Sequence, residues 1–174
     1  MIRKKKMFDR PRKPFESIRI KEENRLAREY GLKNKKEIWR ALAKINYFRK
    51  RAMALTRSPQ EEQEVFLNKL RNIGLRTNSI SDVLGLEVED VLKRRLPSIV
   101  AKQKLANTVK HARQMVVHRK IKIRDRVMNS PSYLVPIADE DHITLKKKAH
   151  VASKPKIEEP KVEEPKIEAE VSVQ

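Results

Sequence analysis

One segment of the chain, residues 94–135, changes its hydrophobic period partway along while its positive charge stays high. It contains eleven Lys or Arg residues and a single acid, Asp125. Up to Val117 the apolar residues recur with the period near 3.6 of a helix, whereas Ile121 and Ile123 alternate with charged residues as in a strand. Such a strand has one dry face and one cationic face. The segment therefore predicts a small folded unit of helix and strand with a basic surface.

Two helices are expected at the start of this segment. Pro97 suits the first turn of the first helix, because proline lacks only an N–H that the helix would leave unpaired. Asn107 or Thr108 can cap the second helix by accepting hydrogen bonds from first-turn amides. The second helix carries an apolar stripe made of Val109, Ala112, Met115 and Val116. A turn is predicted at residues 124–126, and a further short extended piece at residues 131–135.

The first half of the chain is predicted to be helical. A helix over residues 21–30 ends at Gly31, which can adopt the left-handed conformation of a helix cap. A longer helix over residues 34–56 begins at Asn34, and Glu37 three residues later indicates a capping box. The predicted buried stripe of the longer helix consists of Ile38, Leu42, Ile45, Ala52 and Leu55.

Another capping box, residues 58–61 with Pro59 inside it, predicts a third helix that ends at Gly74. Its expected core residues are Val65, Phe66, Leu70 and Ile73. Short helical turns are predicted at residues 81–84 and 88–92. A polar turn over residues 139–141 should precede a last strand over residues 142–145.

The charge of the chain restricts its partners. A net charge of +19 with 37% charged residues favours a polyanion, either a nucleic acid or an anionic membrane surface. No apolar run is long enough to span a bilayer, and no apolar stretch follows the first basic residues as in a secretory signal. The positive charge lies in two blocks, residues 1–60 and 91–130, with an acidic block between them. Two separate cationic surfaces are expected.

One of these surfaces lies on the longer helix. Its outward faces carry many cations and almost no acids between Trp39 and Arg57. Charged residues usually mark a solvated face, but like charges four residues apart repel one another unless an anion neutralises them. RNA contact is therefore the favoured interpretation of this face.

Enzyme chemistry finds little support in the sequence. With no Cys, four His and no His-x-x-x-His spacing, no metal site is predicted. Three widely separated glycines cannot form a phosphate-binding loop. We expect no catalytic residues, no cofactor and no small-molecule substrate. His118 stays open between an RNA hydrogen-bond donor and a structural histidine.

The predicted fold class is α+β, with four segments. Residues 1–20 form a basic arm that orders against RNA, or else a merely solvated tail, and residues 21–93 form a helical body. Residues 94–149 form the small module of helices and strands. Residues 150–174 repeat a Lys-aliphatic-acid pattern with prolines, which is typical of a disordered tail.

The module resembles a known family. The segments RRLPSIV, KLANTVKHARQMVVHRKIKI and SPSYLV are similar to the RNA-binding module named after the fourth small-subunit ribosomal protein. The segments GLKNKKEIWRALAKINYFRKRA and NSISDVLGLEVEDVLKRRL resemble the helical part of the archaeal and eukaryotic forms of that family. The resemblance spans residues 22–145. Where relatives often carry glycine, this chain has Arg119, Arg124 and Asp125, and positive φ suits those residues less well.

The resemblance implies two packed helices on a small twisted sheet, and a role in the small ribosomal subunit. It implies an early, direct binder of the 16S-type ribosomal RNA that nucleates assembly of the subunit body. It further implies a position near the messenger entry path beside the fifth small-subunit protein, an influence on translational accuracy, and a cytoplasmic location within the ribosome.

The residues predicted to contact RNA are basic or amide-bearing side chains of the module and the longer helix. In the module they are Arg94, Arg95, Lys102, Lys104, Asn107, Lys110, Arg113, Gln114, His118, Arg119, Lys120 and Lys122. In the longer helix they are Arg40, Lys44, Arg49, Lys50 and Arg51.

Two other functions use the same kind of module. An RNA-modifying enzyme would need a separate catalytic domain, and the remaining residues form a basic helical body instead. A non-ribosomal factor, such as one that rescues stalled ribosomes, would leave the small subunit in a high-salt wash, whereas a stoichiometric component would stay.

Overall fold

The computed structural model describes residues 7, 8 and 10–146. The predicted tail at residues 150–174 and residues 1–6 and 9 of the predicted arm lie outside the described residues. Within the described part, helices precede and flank one small antiparallel sheet, so the predicted α+β class is confirmed. The elements are α1 (Ser17–Glu29), α2 (Lys35–Leu55), α3 (Gln60–Ile73), α4 (Ile80–Leu84), α5 (Val88–Lys93), α6 (Leu96–Lys102), α7 (Val109–Val117), β1 (Ile121–Ile123), β2 (Arg126–Met128), α8 (Ile137–Glu140) and β3 (Ile143–Leu145).

The first two helices begin and end close to their predicted places. α1 begins at Ser17, so the helix takes up the last residues of the predicted arm. Gly31 follows α1 with φ of +58°, as the helix stop predicts. Asn34 caps α2 by accepting a hydrogen bond from the Lys36 amide at 3.0 Å. The predicted capping box is wrong, because the Glu37 carboxylate turns away from the helix end.

The third helix ends as predicted but starts differently. Gly74 terminates α3 in the left-handed conformation, with φ of +91°. No side chain caps the start of α3, so the capping box predicted at Ser58 is wrong; Gln63 Nε2 donates to the Ser58 carbonyl instead. Val65 and Leu42, predicted for the core, are 54% and 42% exposed. The buried stripes of α2 and α3 are therefore narrower than the apolar pattern suggests.

The core of the body surrounds α2, which packs against α1, α3, α4 and α5. Ile45 and Ala52 of α2, Leu70 of α3, Val83 of α4 and Leu92 of α5 are all at most 1% exposed. Burial of such side chains contributes about 1.5–3 kcal/mol each for the larger aliphatic ones. α2 is thus the element on which the other helices of the body are assembled.

The module has its own core. α6 and α7 pack on a sheet with the strand order β2-β1-β3, in which both pairs are antiparallel. Ile121 and Ile123 are buried, which confirms the dry face predicted for β1. Thr108 caps α7 by accepting from the His111 amide at 3.1 Å. The second core holds residues between Leu96 and Ile143 and is distinct from that of the body, which supports a division of the chain near residue 94.

One prediction near the end of the module needs correction. Residues 139 and 140 close the short helix α8 rather than forming only a turn. The extended piece predicted at residues 131–135 pairs with the start of α6 through a single antiparallel bridge between Leu134 and Arg95. The Leu96 amide donates to the Tyr133 carbonyl at 2.9 Å, and the Val135 amide donates to the Arg94 carbonyl at 3.1 Å.

Gly31 separates α1 from α2 at a point where α7 approaches closely. A Cβ on Gly31 would lie 3.1 Å from the Lys110 nitrogen and 3.2 Å from the Val109 carbonyl carbon. Both atoms belong to the backbone, so they cannot rotate away. Body and module therefore meet here over a residue that has no side chain.

Replacing Gly31 by Ala should lower the free energy of unfolding by about 1–3 kcal/mol, because alanine is strained at positive φ and would press on α7. Gly85→Ala is the matched control: its φ is −80° and the nearest atom would lie 3.5 Å away. That variant should stay within about 0.5 kcal/mol of the parent. Denaturant unfolding of the full chain measures both, and equal values for the two variants would contradict the close approach at Gly31.

Candidate nucleic-acid interface

Arg94, at the boundary between body and module, makes only internal contacts. Its Nε donates to the Ile73 carbonyl at 2.9 Å and its Nη2 to the Val135 carbonyl at 2.7 Å. Its Nη1 pairs with the Glu140 carboxylate at 2.8 Å. The hydrogen bond from Arg94 holds the pKa of Glu140 below its ordinary value. Arg94 therefore joins the end of α3 to the end of the module.

Arg95 and Arg113 share one carboxylate of the body. Arg95 Nη2 donates to Glu37 Oε2 at 2.6 Å. Arg113 donates to both oxygens of Glu37, at 3.0 Å and 2.7 Å. Burial favours the neutral form of Glu37, but the hydrogen bonds and charges of the two arginines outweigh it and lower the pKa of this carboxyl. We call this cluster of Glu37, Arg95 and Arg113 the joint triad.

Four of the predicted RNA-binding arginines thus have protein partners. Besides Arg94, Arg95 and Arg113, Arg49 is half-buried and donates to the Leu86 carbonyl at 2.8 Å. Each of the four donates at least one hydrogen bond to an acceptor within the protein, so we leave these four out of the proposed RNA surface. The sequence could not distinguish them from surface arginines, since their acceptors lie far away along the chain.

The other predicted module residues lie at the surface. Lys122 is half-buried and the rest are exposed. Lys102 lies 3.7 Å from a Glu140 oxygen, while the exposed His118 caps the end of α7. The exposed residues are Lys102, Lys104, Asn107, Lys110, Gln114, His118, Arg119 and Lys120.

The one cation of β1, Lys122, points away from the module core. Ile121 and Ile123 face inward, so Lys122 lies on the outer face, opposite Val127 of β2 and Thr144 of β3. The turn residues Arg119 and Arg124 have φ of +56° and +51°, so these turns keep the left-handed geometry without glycine. We call the set of Lys104, Arg119, Lys120, Lys122 and Arg124 the module surface.

The outward face of α2 forms a second basic surface. Arg40, Lys44, Lys50 and Arg51 are all exposed, and their spacing places them along one side of the helix. We call these four residues, with Tyr47 among them, the α2 surface. Tyr47 is 61% exposed. Its helical spacing from Arg40 and Arg51 places it on the same side of α2, so the sequence alone could have identified it as part of this surface. Our list of predicted residues omitted it.

The described part of the chain contains neither a metal-binding cluster nor a membrane-spanning helix. Among residues 7, 8 and 10–146, no group of three or more His, Asp or Glu could hold a metal ion. None of the helices described there combines the length and apolarity needed to cross a bilayer. The two basic surfaces are the features that remain to be explained.

Comparison with known proteins defines the class. Residues 94–141 match the S4 domain, so the chain is an S4-domain protein with a helical body in front of that domain. The small ribosomal subunit protein uS4 of Methanothermobacter thermautotrophicus is 44% identical over 145 residues, which cover 80% of this chain and 85% of the relative. That of Methanosphaera stadtmanae is 40% identical over 156 residues, covering 86% of each chain. The chain belongs to the uS4 family of small ribosomal subunit proteins, as the resemblance predicted.

Glu37→Gln should lower the free energy of unfolding at pH 7 by about 2 kcal/mol, because two arginines lose their shared charge. In the folded protein the pKa of Glu37 lies below its ordinary value of 4.5. The stabilisation is therefore complete at any pH above the ordinary value. It is lost as the pH falls through the folded pKa. Denaturant unfolding at pH 7 and at about pH 3 should show the difference from the parent shrinking in acid. Glu22→Gln, an exposed residue of α1, is the control, and a pH-independent difference for Glu37→Gln would refute the role of its charge.

Proposed function

We propose that this protein is a structural constituent of the small ribosomal subunit that binds the subunit's ribosomal RNA directly and catalyses no reaction. The observation that supports this most is the pair of exposed basic surfaces, on α2 and on the module. The cations of the α2 surface recur along one side of the helix, and none of the four forms an ion pair within the described residues, so a polyanion would relieve their mutual repulsion. Membership in the uS4 family makes ribosomal RNA the partner of choice.

RNA recognition should rely on shape and backbone. Lysine and arginine of both surfaces would meet phosphates, which fix orientation and register. The exposed Asn107, Gln114 and His118 would reach 2′-hydroxyls or unpaired bases, since the major groove of an RNA helix is too narrow for side chains. On the α2 surface, the ring of Tyr47 can stack with an unpaired base between neighbouring cations.

The joint between body and module supports a finer role. Because Glu37, Arg95 and Arg113 need no RNA to come together, both surfaces are in place before binding. That supports early, direct binding that nucleates assembly of the subunit body. We further propose neighbouring small-subunit proteins as partners, the fifth one among them, an influence on translational accuracy, and a cytoplasmic location in the ribosome.

A footprint of the purified full chain on small-subunit ribosomal RNA tests this function. We expect protection of one continuous structured region at moderate salt, because two fixed surfaces must contact RNA together. Absence of protection, or loss of the protein from small subunits during a high-salt wash, would refute the proposal.

Lys120→Gln should lower the salt dependence of RNA binding by about one unit in the slope of log K against log salt, because one phosphate contact disappears. Lys69→Gln is the matched control, since Lys69 is an exposed lysine of α3 outside both surfaces. Filter binding over a salt series measures both variants. Equal slopes for the two would remove Lys120 from the interface.

Tyr47→Ala should weaken RNA binding by at least about fivefold through loss of base stacking, whereas Tyr47→Phe should keep it within about twofold. Met53→Ala is the control, because Met53 is 64% exposed on another side of α2. If alanine at positions 47 and 53 has the same effect, then Tyr47 stacks on no base.

A further inference from the structure

A small cleft opens between the body and the module beside the joint triad. Its cavity has a volume of about 120 Å³. α2 supplies Arg40 and Lys44 on one side, and the module supplies Ser132 and Leu134 on the other. Glu37 and Arg95 of the joint triad also line it. In this cleft, side chains of body and module face the same small space beside the α2 surface.

The charge in this cleft is not balanced by the protein residues that line it. Glu37 is the single carboxylate there, and it is already shared by Arg95 and Arg113. Within the described residues, neither Arg40 nor Lys44 forms an ion pair. Arg40 instead lies over the ring of Phe8, at 5.8 Å from its centroid. An anion could therefore bind beside these two cations and balance their charge.

Lys44 is exposed overall, but part of its side chain is buried at the cleft. Burial of part of its side chain lowers the pKa of its ammonium group, which means that the charged form lacks some of its hydration. An anion beside the ammonium group would compensate for this loss, and the interaction would be stronger than at a fully hydrated lysine. The volume of the cleft, about 120 Å³, admits a small compact anion and leaves no room for a long flexible one.

We infer that this cleft binds a single backbone phosphate of the RNA between Lys44 and Arg40 of α2 and Ser132 of the module. The inference rests on the proposed function and names one subsite within it. Lys44 and Arg40 supply charge, and the Ser132 hydroxyl, now 3.3 Å from the Ser130 hydroxyl, supplies a neutral donor. A phosphate in this position contacts both parts of the protein at once. Bound RNA would therefore reinforce the joint that Glu37 makes.

The test measures binding of the full chain to small-subunit ribosomal RNA for two changes on opposite walls. Lys44→Gln removes the central cation, and Ser132→Glu places a carboxylate in the cleft from the module side. Each should weaken binding by about tenfold, as expected for loss of a charge-assisted contact. Lys44→Arg should keep the affinity within about threefold of the parent, because it retains the charge.

The controls repeat the same chemical changes elsewhere. Lys69→Gln on α3 and Ser81→Glu on α4 alter exposed residues that lie outside the cleft, and each should cost no more than about threefold. Thermal unfolding of every variant identifies any loss of fold. If the parent binds but both cleft variants behave like their controls, the phosphate site is refuted and the proposed function stands. If the parent itself does not bind the RNA, the phosphate site and the proposed function are both refuted.

Discussion

Glu37 lies in the first turn of α2, and its two carboxylate oxygens accept hydrogen bonds from Arg95 and Arg113 of the module. This shared carboxylate fixes α7 relative to α2, and with it the module surface relative to the α2 surface. Arg94 makes a second connection, from the end of α3 to Glu140 and Val135. A third lies at Gly31, where α7 approaches the turn between α1 and α2. Three separate contacts therefore hold the two parts in one arrangement.

Features that depend on local sequence were predictable. The helix ends at Gly31 and Gly74, the cap at Thr108 and the alternation in β1 all follow from neighbouring residues, and the structure has them. The role of Glu37 was not predictable, because a capping box and a distant ion pair use the same carboxylate. Within the predicted RNA-binding set, the residues that turned inward are all arginines. Every lysine is exposed except Lys122, which lies on the outer face of the sheet. A planar guanidinium can satisfy several buried acceptors at once, whereas an ammonium group keeps its hydration.

Three turn residues of the module are basic although their backbone conformation is one that favours glycine. Lys104, Arg119 and Arg124 all have positive φ, where glycine would be less strained by about 1 kcal/mol each. All three residues are exposed at turns. Arg124 pairs with Asp139 at 2.8 Å, whereas the side chains of Lys104 and Arg119 can extend toward a partner. Strain at Lys104 and Arg119 is explained if those two side chains contact RNA.

Body and module should form one preformed unit, and a distance measurement between them tests this most directly. The chain has no cysteine, so spin labels can be attached at cysteines introduced for Asn68 on α3 and Asp125 in the β1–β2 turn, both exposed. Double electron–electron resonance on the full chain should give a single narrow distance distribution that is unchanged when ribosomal RNA is added. A broad distribution in the free protein that narrows only with RNA would contradict the account, because the RNA, not Glu37, would then set the arrangement.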